Sequence, residues 1–280
     1  MGKATMREKQ SATSRPDTAS PDGVILRRGT DSGQSEGMHG EMAEIGLGAP
    51  VQKDGRAVPA RLAAFDRIVP LRGDDVLDYG CGNGIYTVRI AERFHHTAGV
   101  EVEENRLEEA KRLAEERGAA IDFRLAQDTL PFRDASFDCV TMIEVLEHVS
   151  DERASLAEIR RVLRPDGRLY VSVPNRLFPI ETHSVLWRGK WINGKRLPGL
   201  PWIPPIHRRT ASARTYTTRS LRSLLISEGF SMSNPEFIMP PFDNWQAGER
   251  WIRPLCERLE HGPLRRFGVS MLVVARSITH

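Results

Sequence analysis

The sequence predicts an α/β protein built on an open, doubly wound, mostly parallel sheet. Two observations carry this. From residue 57 onward, short apolar runs bounded by turn residues alternate with amphipathic stretches of helical period. A glycine-rich turn, Gly80-Cys81-Gly82-Asn83-Gly84, joins the first such run to the helix behind it. Strands and helices alternating at this spacing require crossover connections between parallel strands, and handedness rules leave few topologies.

The elements follow in order. Residues 1–48 are rich in Ser, Thr, Gly, Asp and Arg, with one apolar cluster at Val24-Ile25-Leu26. Such a composition buries too little surface to offset ordering entropy, so a disordered tail is expected, followed by one domain over 49–280. A helix over 57–69 places Leu62, Phe65, Ile68 and Val69 on one face and stops at Pro70 and Gly73. A strand over 76–79 runs into the glycine turn, and the next helix carries Val88, Ile90, Ala91 and Phe94. A strand over 98–102 precedes a charged helix over 103–117 whose buried face holds Leu107, Ala110, Lys111, Leu113 and Ala114. Strands over 121–126 and 137–143 come next, then a helix over 151–163 ended by Pro165-Asp166-Gly167, then a fifth strand over 168–173. The regularity breaks over 174–213, which has six prolines and no sustained period. An irregular insertion of this length serves as a lid or substrate loop. A helix over 217–227, a strand over 230–239, an amphipathic helix over 245–259 and a strand over 268–276 complete a seven-stranded sheet.

Composition narrows the function. Of 280 residues, 40% are hydrophobic and 28% charged, which excludes a collagen-like or wholly disordered chain. The net charge of +3 is too small to argue by itself for nucleic acid. Cys81, Cys139 and Cys256 stand far apart, so neither a disulfide scaffold nor a structural zinc site is expected. No apolar run approaches the ~18 residues that span a bilayer, and none follows the N-terminal charges. A cytoplasmic protein is expected.

The glycine turn is where chemistry concentrates. Ligands of open α/β sheets bind at the carboxyl ends of strands, and glycines there let the backbone approach a ligand and adopt positive φ. Asp78 precedes the first glycine by two residues, and Glu101 ends the second strand, where a carboxylate accepts from both ribose hydroxyls. A dinucleotide fingerprint needs a third glycine where Ile85 stands, which argues against a nicotinamide-dependent oxidoreductase.

Four segments in order, VLDYGCGNG, GVEVEENRLEEAK, AQDTLPFRDASFDCVTMIEVLEHV and EIRRVLRPDGRLYVSVPN, resemble the motifs of class I S-adenosylmethionine (SAM)-dependent methyltransferases, the broad family that includes quinone-biosynthesis methyltransferases. The resemblance covers 76–175, with weaker similarity over 216–230, and departs at Asp166, where the family usually has glycine. It implies a Rossmann-like fold and SAM as cofactor, and nothing in SAM chemistry calls for a metal. Carried over, Asp78, Tyr79, Gly80, Cys81 and Gly82 form the cofactor turn, and Glu101 with Val102 takes the ribose. Asp128 faces the adenine amino group, with Thr129 at its edge, and Ile143 and Glu144 border the methionine end. His148 follows in the loop.

The acceptor side is read from the residues. His148 and His183 are the candidate general bases, against the plainer readings of a loop-packing and a solvated histidine. His207 is a weaker candidate, and Cys81 has no activating partner. Between 174 and 225 stand ten Lys and Arg against the single acid Glu181, and all five tryptophans (Trp187, Trp191, Trp202, Trp245, Trp251) lie beyond residue 174. This suits an amphiphilic acceptor, a membrane surface or RNA, against a lid core of tryptophans with a solvated cationic rim. The expected function is methyl transfer to oxygen or carbon of a small-molecule or lipid-like acceptor, with peripheral membrane contact through the insertion. An RNA or protein methyltransferase and a non-catalytic SAM-binding protein are the alternatives.

Overall fold

The computed structural model of the protein describes residues 57–126, 129–240 and 262–278. The expected tail over 1–48 and helix over 245–259 lie outside them. The chain runs α1 (Ala57–Ile68), β1 (Gly73–Tyr79), α2 (Ile85–Ala91), β2 (Phe94–Glu101), α3 (Glu104–Arg117), β3 (Asp122–Leu125), β4 (Phe137–Ile143), α4 (Glu152–Val162) and β5 (Leu163–Pro174). Beyond these come β6 (Ser184–Trp187), β7 (Lys190–Asn193), α5 (Pro204–Thr210), α6 (Thr218–Ser227), β8 (Phe230–Met232), β9 (Glu236–Ile238) and β10 (Ser270–Ser277).

The main sheet has the order β3-β2-β1-β4-β5-β10-β8, with β9 also paired to β10. The first five strands are parallel neighbours, and β10 runs antiparallel to β5, β8 and β9. The strand residues alternate between two cores, as a pleat of period 2 requires. Leu77, Val140, Met142, Leu169 and Val171 pack on one face with Leu156 and Ile159 of α4 and Leu221 and Leu225 of α6. Val76, Cys139, Ile143, Tyr170 and Leu272 pack on the other with Leu62 and Phe65 of α1, Val88 and Ile90 of α2 and Leu113 of α3. Burying both faces explains the near-continuous apolar runs of β4 and β5.

Helix ends carry their local signals. The Asp151 side chain accepts from the N–H groups of Arg153 and Ala154 at the start of α4, and Thr217 forms a capping box with Ser220 at the start of α6.

Four expectations are corrected in detail. β2 starts at Phe94, not Ala98, because its first residues pair with Gly73 and Asp75 of β1. β5 starts at Leu163, and the predicted turn at Pro165-Asp166-Gly167 is a bulge within it; Asp166 takes the positive φ of 62°. The strand expected over 230–239 is split into β8 and β9 along one edge of β10, with Pro235, which has no N–H to donate, in the gap. The insertion is not structureless. It holds the hairpin β6–β7, with a positive-φ Arg188-Gly189 turn, two 3-10 turns and α5. Four-residue strands are too short to display a period in the sequence.

Candidate active site

The carboxyl ends of β1, β2 and β4 meet where the strand order reverses, since β1 winds out to β2 and β3 while β4 enters on its other side. Open α/β sheets bind ligands at this switch point. The glycine turn leaves β1 here. The N–H groups of Gly80 and Cys81 both donate to the Val100 carbonyl at 2.9 Å, which ties the turn to β2. Gly80 has φ +73°, and a Cβ there would stand 2.7 Å from the Val145 methyls, so a side chain is excluded. Gly82, at φ +54°, is the reverse case. Among the described residues no heavy atom lies within 4 Å of its Cβ position, which leaves the turn open on that side.

Two carboxylates frame the turn. Asp78 is buried and accepts from Thr87 Oγ1 at 2.6 Å and Thr141 Oγ1 at 2.7 Å, joining β1, α2 and β4. Burial pushes its carboxyl above the ordinary range, against the pull of the two hydroxyls, and Glu101 adds to the rise. Glu101, 6% exposed, accepts from the N–H of Gly82 at 2.8 Å on Oε2 and from those of Val102 and Glu103 at 2.7 and 3.2 Å on Oε1. Burial, with Asp78 and Glu101 nearby, pushes the Cys81 thiol up, which fits its reading as a non-nucleophile.

The remaining predicted residues divide. Val102 is exposed at the end of β2, and Thr129 is exposed beyond β3. Tyr79 sends its hydroxyl to Ser155 Oγ of α4, 3.2 Å away. Ile143 is buried in the core beside α1 and α2. Asp128 lies outside the described residues. Glu144 has φ +55°, uncommon for a residue with a side chain. It pairs with Arg61 Nη2 at 3.2 Å and accepts from Ser172 Oγ at 2.6 Å. Burial alone would raise its carboxyl, but Arg61, Ser172 and His183 hold it below the ordinary range.

Arg61 is a site residue that the motif reading missed. It sits on the buried face of α1 with Val58, Leu62 and Phe65, and also donates to the Tyr86 hydroxyl and to Ser270 Oγ at 3.1 Å. An arginine in register with an apolar helical stripe was the available signal.

Beyond Glu144 the chain brings the acceptor-side groups together. Glu147 is buried, and burial followed by the nearby Glu144 pushes its carboxyl well above the ordinary range. The rings of His148 and His183 meet edge to face with centroids 5.3 Å apart. Glu181, 1% exposed, accepts from the His183 N–H at 2.8 Å, contacts His183 Nδ1 at 3.1 Å and contacts His207 Nε2 at 2.5 Å. Despite burial, those contacts hold its carboxyl down to about 2. His183 is therefore not solvated, and His207 is buried behind it.

Residues 77–171 match the family model described as a methyltransferase domain. The ubiquinone biosynthesis O-methyltransferase of Xylella fastidiosa is 35% identical over 120 residues, 42% of this chain and 49% of that protein. The enzyme of the same name from Idiomarina loihiensis is 41% identical over 121 residues, 42% of this chain and 50% of that protein. Residues 77–171 carry a methyltransferase domain. It spans about half the length of the curated relatives it matches. Solved structures extend the likeness in fold. A SAM-dependent methyltransferase from Mesorhizobium loti aligns over 80% of this chain and all of its own, with TM-score 0.55 and 22% identity. The cyclase SpnF aligns over 80% of this chain and 82% of its own, with TM-score 0.54 and 21% identity.

The cofactor of such a methyltransferase domain is SAM, and the residues present fit it. A buried carboxylate ends β2, and the turn beside it is open at Gly82. Glu101 already accepts backbone N–H groups on both oxygens, and a carboxylate has lone pairs left for ribose hydroxyls.

Among the described residues no helix is long and apolar enough to cross a membrane.

Proposed function

We propose that this protein transfers the methyl group of SAM to an oxygen of a small, amphiphilic acceptor. The observation that carries this reading is the Glu181–His183 pair facing His148 beside Glu144, at the end of the sheet where the glycine turn lies. Bound SAM supplies a methyl carbon on a positively charged sulfur, a good leaving group. Glu101 and the glycine turn hold the nucleoside, with Asp78 fixing the turn from below. The acceptor hydroxyl must lose its proton as the oxygen–methyl bond forms and the methyl–sulfur bond breaks, its electron pair returning to sulfur. A histidine whose Nδ1–H is held by a carboxylate keeps Nε2 as proton acceptor and is stabilised when it charges. His183 has that partner, and His148 lines the same edge. An electron-rich carbon acceptor would need no such base, so the pair favours oxygen. The name of the curated relatives points the same way.

The insertion supports an amphiphile. Trp187, Trp191 and Trp202 are exposed rather than packed inside a lid, as are Leu186, Ile203 and Ile206. Arg188, Lys190, Arg208 and Arg209 stand among them in the chain. Apolar surface with cations suits the tail of an acceptor or the surface of an anionic membrane.

Methyl-labelled SAM, offered with hydroxylated aromatics with and without alkyl tails and with RNA in a parallel arm, tests the reading. Label is expected in the tailed hydroxyl compounds, with kcat at least about hundredfold lower in His183→Ala at unchanged SAM affinity. SAM binding without label in any acceptor would favour a non-catalytic SAM-binding protein, and label in RNA alone would favour the RNA enzyme.

A further inference from the structure

Glu181 is a buried carboxylate held between two imidazoles that come from the two ends of the insertion. His183 directly precedes β6, and His207 stands on α5, beyond the hairpin. The two oxygens are divided between them. Oε1 accepts from the His183 backbone N–H at 2.8 Å and lies 3.1 Å from His183 Nδ1, while Oε2 lies 2.5 Å from His207 Nε2. Burial would raise this carboxyl, but those contacts hold it down to about 2, so at working pH Glu181 only accepts. A group that only accepts fixes the tautomer of whatever donates to it. His183 therefore carries its proton on Nδ1, where the Thr182 hydroxyl is a second neighbour at 3.3 Å, and His207 carries one on Nε2. Backbone contacts hold the array. The Gly194 N–H donates to the His183 carbonyl at 3.0 Å. A Cβ at Gly194 would stand 2.3 Å from that carbonyl oxygen and 2.4 Å from Glu181 Cγ, so that position requires glycine. His207 is placed by its own helix, its N–H donating to the Ile203 carbonyl at 3.0 Å and its carbonyl accepting from Ala211 at 2.8 Å.

We propose that His207 is a positioning residue for methyl transfer, acting through Glu181 to hold His183 with Nε2 free for the acceptor and sharing with His183 the proton that Glu181 attracts. Exposure separates the two imidazoles. The His183 side chain keeps 14% of its surface exposed and meets His148 edge to face, while the His207 side chain keeps 3%. His207 therefore reaches the reaction only through the carboxylate. A carboxylate held at one oxygen can turn; held at both, it keeps Oε1 on His183 Nδ1. The second part follows from charge. Two imidazoles beside one carboxylate each gain by protonation, but the second proton is resisted by the first, so the pair titrates as a unit. As pH falls, the first proton is divided between them, and a fraction of molecules keeps His183 neutral. The other charged groups are the same whichever imidazole holds the proton. They are Glu144, Glu147 and His148 from the loop after β4, Arg61 behind Glu144, and Arg208 and Arg209 beside His207 on α5. Arg188 and Lys190 of the hairpin are exposed. The inference rests on the methyl-transfer reading for what His183 does, and goes beyond it in giving His207 a part.

The test compares His207→Gln with His207→Ala in the full chain. A glutamine amide nitrogen can donate to Oε2 in place of Nε2 but takes up no proton; alanine does neither. Long-range 1H–15N correlation of the labelled histidine rings reads tautomer and titration directly, without turnover. In the unaltered protein His183 is expected as the Nδ1–H form. In His207→Gln the proton has one imidazole to go to, so the His183 titration should move to higher pH by about half to one unit and become a single step. The acid limb of kcat against pH should move with it, since neutral His183 is the active form. His207→Ala should lower kcat about tenfold to hundredfold through a misplaced base, with SAM affinity unchanged by calorimetry, and His207→Gln should recover most of that loss near the pH optimum. His183 found as the Nε2–H form, or a His183 titration unmoved in His207→Gln, overturns the proposal. So does an unchanged kcat in His207→Ala. Should the alanine variant not fold, the tautomer and the glutamine titration still decide. Ring titrations as expected with no methyl transfer to any acceptor would sustain the shared proton and remove the methyl-transfer reading. Methyl transfer with a pH limb indifferent to His207→Gln would do the opposite.

Discussion

The two ends of this site are held by different means. At the glycine turn, the polar groups are tied into the sheet itself. Glu101 is clasped by backbone N–H groups on both sides of it, Asp78 by hydroxyls from α2 and β4, and the turn by the carbonyl of Val100. At the acceptor end, Glu181, His183 and His207 come from an insertion whose hairpin pairs with itself and, through the isolated bridge of Val185 with Ala211, with the insertion's own end, while the isolated bridge of Asn175 with Tyr216 joins its start to the chain beyond it. One end is fixed by main chain that any methyl acceptor can share. The other is a replaceable fitting, which is where acceptor choice can vary without disturbing the cofactor.

The comparison breaks most sharply if the fitting is removed. Replacing residues 183–209 with a short Gly/Ser linker should abolish methyl transfer while calorimetry still detects SAM binding. Transfer at the original rate would show that the insertion neither covers the site nor selects the acceptor. The cofactor end should fail in the opposite sense. Glu101→Ala loses charge-assisted contacts of about 1.5–3 kcal/mol, so SAM affinity should drop at least about tenfold in a folded variant. Unchanged affinity would move the ribose elsewhere.

A smaller effect separates site from scaffold. Asp138, at the far end of β4, accepts from the N–H groups of Asp74 and Asp75 at 3.0 Å each and pairs with Arg164 at 2.8 Å. Burial opposes its ionisation, but these partners hold its carboxyl below the ordinary range. A depressed folded pKa contributes stability that is complete above the unfolded value near 4 and is lost as pH falls through the folded value. Asp138→Asn should therefore lower stability at neutral pH by about 1–2 kcal/mol and flatten the acid limb of a stability-versus-pH curve, with SAM affinity unchanged at neutral pH. A parallel shift of the whole curve would remove the electrostatic account. The smallest effect is expected from deleting residues 1–45. Their composition supports no core, so melting temperature and SAM affinity should hold; a fall in either would tie that segment to the site.

Legibility in the sequence follows the same division. The parallel sheet and its turn could be read because each signal is local: apolar runs, glycines at fixed offsets, and an acid at a strand end. Glu101 and Asp78 stand where that logic put them. The acceptor end could not be read this way. Glu181 looked like the lone acid in a basic stretch, yet it is buried because two histidines converge on it from either side of the β6–β7 hairpin. Glu147 looked like one more charge in EVLEH, and only the tertiary fold removes its solvent. Arg61 needed knowledge of which face α1 buries. Each of these is a pairing between distant segments, and no period or spacing encodes it.

The position of β10 has a consequence for how the protein is made. This strand lies between β5 and β8, yet it is the last to be synthesised of the described strands. Every strand on the β3 side of it is complete by Pro174, while the partner of β5 waits for Ser270 to Ser277. On a ribosome the nascent chain therefore carries a parallel half-sheet whose edge strand, with Leu169, Val171 and Val173, has no neighbour to protect it. Closing that gap means drawing together segments separated by the whole insertion and α6, a long-range step that is slow to occur. The chain is most vulnerable to strand-to-strand association in that interval, and a chaperone or a low synthesis temperature would improve its yield of folded protein.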